Sequence, residues 1–120
     1  MEQETLEPPA LPACPVETTA HLIGSKWRLL IMRDLLEGTK RFGELKKSLD
    51  GVSQKVLTSN LRAMEEHGLV IRRVYPEIPP RVEYSLTEAG CRLRPVIDAM
   101  RAWGTEYQQH VRNAGAQKRT

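Results

Sequence analysis

Five side chains in the segment "SQKVLTSNLRAMEEH" (53–67) have the types and spacing to do recognition chemistry: Gln54, Lys55, Thr58, Ser59 and Arg62. Steps of one and three residues put all five on one face of a helix. That face offers amide, hydroxyl, ammonium and guanidinium groups and no carboxylate. Gln pairs bidentately with adenine and Lys or Arg with guanine, while Ser and Thr suit a phosphate or either type of base edge. The pattern fits a helix that reads a nucleic-acid groove; the plain alternative is a solvated helix face. Ser53 stands in the N-cap position, a role compatible with phosphate contact.

The flanking sequence supplies the elements that would position this face. Leu57, Leu61 and Met64 recur at i, i+4 and i+7 with Val56 beside them, and Gly68 suits the position after the helix. The preceding segment "RFGELKKSL" (41–49) predicts a short helix with Phe42, Leu45 and Leu49 on one side, and "DG" (50–51) a turn. Two short helices joined by a glycine-containing turn fit a helix-turn-helix. Upstream, "SKWRLLIMRDLLEG" (25–38) carries Trp27, Leu30, Ile31, Met32 and Leu35 around much of its circumference, which predicts a central buried helix. A thinner helix is expected from Val16 or Glu17 to about Ile23, after Pro15.

Downstream, "LVIRRVY" (69–75) and "RVEYSL" (81–86) predict two antiparallel strands; Val82, Tyr84 and Leu86 alternate with Glu83 and Ser85. The link "PEIPP" (76–80) holds three prolines. Proline locks φ and has no N–H, so the link cannot pair as strand and is expected to project as a stiff loop with Arg81 at its base. Thr87 then caps a long last helix whose apolar residues Leu93, Val96, Met100, Trp103 and Tyr107 recur in steps of three and four. Pro95 should kink this helix or mark an irregular first turn. The expected fold is mostly α with a small β-hairpin wing, a winged helix-turn-helix over 14–111. The terminal helices are left for dimer contacts; 1–13 is read as a disordered tail and 112–120 as a frayed end.

Composition is consistent with one soluble domain: 120 residues, 40% hydrophobic and 28% charged. Apolar runs such as "LLIM" (29–32) are far too short to span a membrane, and the acidic, proline-rich start is no signal peptide. The net charge of +3 is unevenly spread. Residues 1–25 have four acids and no Lys or Arg, while residues 26–62 have nine Lys or Arg against four acids. A basic central segment favours a polyanionic partner.

The chain resembles the HxlR family of bacterial winged-helix transcription regulators, relatives of the MarR family. The resemblance covers roughly 14–107 and rests on "CPVE" (14–17), "IGSKWRLLIMRDLLEG" (23–38), "RFGELKKSLDGVSQKVLTSNLRAMEEHGLV" (41–70), "VYPEIPPRVEYSLTEAG" (74–90) and "AWG" (102–104). It implies a homodimer that binds partly palindromic double-stranded DNA operators. It also implies that Cys14 matches a cysteine that some members use to sense electrophiles or oxidants.

On this reading the DNA-binding set is Ser53, Gln54, Lys55, Thr58, Ser59 and Arg62, with Arg81 as a wing contact supported by Arg72 and Arg73. An arginine at a loop base can enter a narrow minor groove; the alternative is a strand-edge charge that deters aggregation. Lys40, Arg41, Lys46 and Lys47 read as non-specific phosphate contacts or plain solvation. Cys14, next to Pro15, is expected to be accessible, as a reactive thiol or an inert retained one; Cys91 reads as a small buried hydrophobe, the alternative being a partner cysteine across the dimer; the two form no CxxC motif. His21, His67 and His110 are too scattered for a metal site. No cofactor is implied, and no catalytic triad, glycine-rich phosphate loop or paired-carboxylate motif stands out, so no enzyme is expected. The expected function is a cytoplasmic, sequence-specific DNA-binding regulator, a dimeric repressor with a small-molecule or electrophile effector. The competing reading is a winged helix used for protein–protein binding; a thiol-redox enzyme is a weaker third.

Overall fold

The computed structural model describes residues 11–119, with side chains as far as Ala116. Helix α1 (Pro15–Ile23) has Pro15 in its first turn, where the missing N–H is no loss. Helix α2 (Lys26–Leu35) starts at Ser25, whose side chain accepts a hydrogen bond from the Arg28 N–H. Strand β1 (Lys40–Arg41) leads into α3 (Phe42–Ser48), and α4 (Gln54–Glu66) follows after a turn. Strands β2 (Val70–Tyr75) and β3 (Arg81–Leu86) form the hairpin, and the chain closes with α5 (Glu88–Cys91) and α6 (Arg94–Arg119).

The core forms where the apolar faces of the first four helices meet the sheet. Ile31 and Met32 of α2, Leu45 of α3, and Leu57, Leu61 and Met64 of α4 are almost completely buried. Helix α2 packs against α3, α4, α6 and β3, the central position that its broad apolar girth predicts. Asp34 is buried in α2 as well; one carboxylate oxygen accepts from the Arg33 Nε at 2.9 Å.

The sheet has three antiparallel strands in the order β1-β3-β2, one more than the sequence predicts. Lys40 pairs with Tyr84 and Arg41 with Glu83, so these two residues add a strand at the edge of the hairpin and Arg41 does not open helix α3. A strand of two residues is too short to show any periodicity. The α3 helix begins one residue later than expected, with the Arg41 N–H donating to the Glu44 Oε1 at 2.8 Å.

The last helix is divided. Thr87 caps α5, and its hydroxyl oxygen accepts from the Gly90 N–H at 3.0 Å. The chain turns at 92–93, and α6 starts afresh with Pro95 as its second residue, so the proline marks a helix start and no kink. Helix α6 then continues to Arg119 through the segment expected to fray from 112. Ala114, Ala116, Gln117, Lys118 and Arg119 are strong helix formers. Of the expected N-terminal tail, 1–10 lie outside the described residues, and Pro12 accepts a hydrogen bond from the Thr18 hydroxyl at 3.1 Å.

Thr87 also joins the hairpin to the end of α4. Its N–H donates to the Leu69 carbonyl at 3.0 Å and its hydroxyl to the Gly68 carbonyl. Gly68 has φ +77°, a left-handed conformation that glycine adopts without strain and that turns the chain from α4 into β2. Gly90 lies directly against the Leu69 carbonyl, with no room for a Cβ. Gly90→Ala should therefore cost about 1–3 kcal/mol, the usual range for overpacking. Chemical denaturation that gives the same midpoint for variant and wild type would show that α5 can move aside at no cost.

Candidate nucleic-acid interface

Helix α4 is positioned from both ends and from behind. At its start the Ser53 Oγ accepts from the Val56 N–H at 3.1 Å, so the predicted cap is formed. The preceding turn is closed by Gly51 at φ +90°, and Val52 is buried as an anchor. Burial of Leu57, Leu61 and Met64 fixes which side of α4 faces the core. The opposite side must then face solvent.

That outer face holds the predicted set. Gln54, Lys55, Ser59 and Arg62 are exposed and Thr58 is half-buried. Side-chain hydrogen bonds on α4 involve Ser53 at the cap and Asn60, which donates to the Val56 carbonyl. Among the described residues the five face side chains make no hydrogen bond or ion pair, so their donors and acceptors point to solvent. Arg72 of β2 borders the same cleft as Gln54, Thr58 and Arg62, with Tyr84 in its wall.

The other two predicted arginines lie elsewhere. In the hairpin register Arg72 faces Tyr84, whereas Arg73 faces Glu83. Adjacent strand residues point to opposite sides, so Arg73 is on the reverse face of the sheet. Arg81 shares that reverse face. Its Nη1 donates to Glu83 and its Nη2 to Glu77, both at 2.8 Å, and its guanidinium carbon lies 3.9 Å from the centroid of the Tyr75 ring. The hydrogen bond it donates to Glu77 is the main reason why its pKa is raised above the ordinary arginine value. Both terminal nitrogens of Arg81 are thus engaged in shaping the base of the wing. The sequence carries a signal for this arrangement: Glu83 is two residues on, on the same strand face, and Tyr75 lies opposite in the register. At the tip, Ile78 is fully exposed among the prolines.

Of the remaining cations, Lys40 pairs with Glu37 at 3.5 Å, while Arg41, Lys46 and Lys47 are exposed. Cys14 is exposed as the N-cap residue of α1. Cys91 is exposed at the end of α5, against the expectation of burial; it precedes the apolar stripe that begins at Leu93 and is not carried into the core. His21 and His67 lie close, with ring centroids 6.2 Å apart, while His110 packs near Tyr107 on α6. Among the described residues no three His, Cys, Asp or Glu side chains converge as metal ligands would. No described helix is long and apolar enough to cross a membrane.

Comparison with known proteins agrees with this geometry. Residues 22–112 match the HxlR-like helix-turn-helix family. Over 98 residues the chain is 46% identical to the uncharacterized HTH-type transcriptional regulator YdeP of Bacillus subtilis (strain 168), covering 82% of this chain and 77% of that one. The reduced form of the redox regulator HypR superposes with a TM-score of 0.79 at 39% identity, covering 83% of this chain and 99% of HypR. Diamide-treated YodB from B. subtilis superposes with a TM-score of 0.65 at 39% identity, covering 78% and 94%.

His67, the C-cap residue of α4, has a pKa below its ordinary value. Partial desolvation of this exposed residue lowers its pKa from the ordinary 6.5, the neighbouring Arg28 and His21 lower it further, and Glu66 opposes them. The folded state therefore favours neutral His67. Its contribution to stability is present above the unfolded value of about 6.5 and is lost as pH falls through the lower folded pKa. Between about pH 8 and pH 5 the thermal midpoint of wild type should fall further than that of His67→Gln. Parallel curves for the two proteins would exclude His67 as the group responsible.

Proposed function

This chain belongs to the HxlR-like helix-turn-helix family of DNA-binding transcription regulators, and we propose that it is a homodimeric, sequence-specific repressor of the cytoplasm whose operator affinity responds to thiol-reactive compounds. The observation that carries the DNA reading is the outer face of α4, five groove-competent side chains with no partner among the described residues. Gln54, Lys55 and Arg62 read base edges in the major groove, and Thr58 and Ser59 bond bases or phosphates. Ser53 and Arg72 contact the backbone on either side and hold the register. Arg81 supports the wing that lies against the flanking DNA, and Arg73, on the reverse face, makes at most a long-range electrostatic contribution.

The surface of α6 supports the dimer reading. Val96, Met100, Trp103, Tyr107 and Val111 form a row of exposed apolar side chains along this helix, with Trp103 66% exposed and stacked on Tyr107 at 5.1 Å. At 26 residues the helix is about 39 Å long, and the row continues beyond its contact with the domain core at Ile97. An apolar cleft between α1, α2 and α6, floored by Val16, Ile23, Leu29 and Met100, adjoins it. A second copy, related by a two-fold axis, covers both and sets two recognition helices about 34–36 Å apart, the spacing of successive major grooves on one DNA face.

The test is selection of bound duplex from a random pool, followed by titration of variants. Arg62→Ala and Lys55→Ala should each weaken binding of the selected operator by about 1–3 kcal/mol. Where the lost contact is to phosphate, binding should instead weaken for all sequences and the salt slope shrink by about one. Unchanged affinity for both operator and random duplex would sink the α4 reading and favour a protein-binding winged helix.

Cys14 is the proposed sensing residue. It is exposed at the start of α1, where an adduct or disulfide would disturb the helix against its partner, and two of the structural relatives are HypR, a redox regulator, and YodB, solved after diamide treatment. A quinone, an aldehyde or hypochlorite should weaken operator binding by wild type by about tenfold or more, whereas Cys14→Ser binds normally and does not respond. An equal response from Cys14→Ser would remove Cys14 from this role.

A further inference from the structure

Arg28, in the first turn of α2, reaches two other helices with one half-buried guanidinium. Its Nε donates to the Asn60 Oδ1 of α4 at 2.9 Å, and its Nη1 donates to the Leu22 carbonyl of α1 at 3.1 Å. Leu22 lies in the last turn of α1, where unpaired carbonyls carry partial negative charge and favour a cation. Asn60 is oriented in turn, because its amide nitrogen donates to the Val56 carbonyl at 2.9 Å. Its oxygen is thereby presented to Arg28.

At about 100° per residue, Asn60 is on the side of α4 away from Gln54, Lys55, Thr58, Ser59 and Arg62. Arg28 therefore grips the helix from behind, out of reach of bound DNA. Leu57 and Leu61 decide which side of α4 is buried, but apolar packing is non-directional and leaves small tilts and slides of the helix to be set by other contacts. A charge-assisted hydrogen bond from a planar donor fixes both angle and distance. We propose that Arg28 is a positioning residue that ties the orientation of α4 to that of α1, so that a displacement of α1 reaches the groove-reading face. This inference rests on the DNA-binding reading of α4. It adds the mechanical connection between that face and the helix that carries Cys14 and Val16.

The test uses the full chain, with affinities for the selected operator and for random duplex measured across a range of salt. Arg28→Ala and Asn60→Ala should each lower operator affinity by about tenfold, and the double variant by no more than either alone. Random-duplex affinity and salt slope should not change, because Arg28 touches no phosphate. Arg28→Lys, able to reach only one of the two acceptors, should fall between wild type and Arg28→Ala. Operator affinity unchanged in every variant, or losses that multiply in the double variant, would overturn the proposal. So would a parallel loss for random duplex with a smaller salt slope, which would make Arg28 a phosphate contact. If wild type prefers no sequence, the DNA reading itself fails, and amide exchange decides the connection. Faster exchange in both the last turn of α1 and α4 of Arg28→Ala supports it, and unchanged exchange in both rejects it. Should Arg28→Ala not fold, Arg28→Lys and Asn60→Ala give the same decision.

Discussion

The burial of one side of α4 is the constraint on which the rest of the structure depends. Leu57, Leu61 and Met64 are each almost completely enclosed, beside Ile31 and Met32 of α2 in one core. Burial of each such side chain is worth about 1.5–3 kcal/mol, so three of them outweigh any preference of the polar face for another orientation. Once they are inside, a helix with a 3.6-residue repeat has no freedom over what it shows to solvent. Gln54, Lys55, Thr58, Ser59 and Arg62 are exposed because the leucines are not. The exposed polar face of this helix is thus a consequence of core packing, with the Ser53 cap and the Gly51 turn setting where the helix begins.

The hairpin is held to the same helix by backbone chemistry at Thr87. One residue donates to the carbonyls of Gly68 and Leu69 and accepts from Gly90. The end of α4, the start of β2, the end of β3 and the start of α5 are therefore joined through one residue, and Arg72 lines the same cleft as Arg62. Further out, the wing is shaped by Arg81, placed between Glu77 and Glu83 and stacked on Tyr75. Charges that are paired within the hairpin are weaker partners for DNA phosphate, because the existing hydrogen bonds must first be broken. Stiffness of the wing and free positive charge on its base are alternatives for this one side chain.

Helices α1 and α6 stand apart from the core in a way that the other helices do not. Ile23 of α1 and Ile97 of α6 are buried, but most of the apolar residues further along α6 are exposed. Arg28 is a hydrogen-bonded connection between one of these helices, α1, and α4. An arginine suits this position because its fork can serve two acceptors in one plane, whereas an ammonium group is a single point charge.

Elements with a strong repeat are legible in the sequence alone. The 3.6-residue periods of α2 and α4, the caps Ser25, Ser53 and Thr87, and the two-residue alternation of β3 all depend on neighbours close in the chain, so the helix-turn-helix, the hairpin and the face of α4 can be read directly. Contacts between distant residues decided the rest. Strand β1 exists because Lys40 and Arg41 meet Tyr84 and Glu83, more than 40 residues away, and two residues hold no period of their own. The separation of Arg72 from Arg73 and Arg81 follows from strand register, which assigns alternate residues to opposite faces. Cys91 is exposed although cysteine is usually buried, because among the described residues nothing packs over the end of α5 where it lies off the apolar stripe. The bond from Arg28 to Asn60 spans 32 residues and joins two side chains that each look, in sequence, like ordinary polar surface. Local pattern determines which elements form and which faces they bury; only packing determines which polar side chains on those faces find each other and which remain free for a partner.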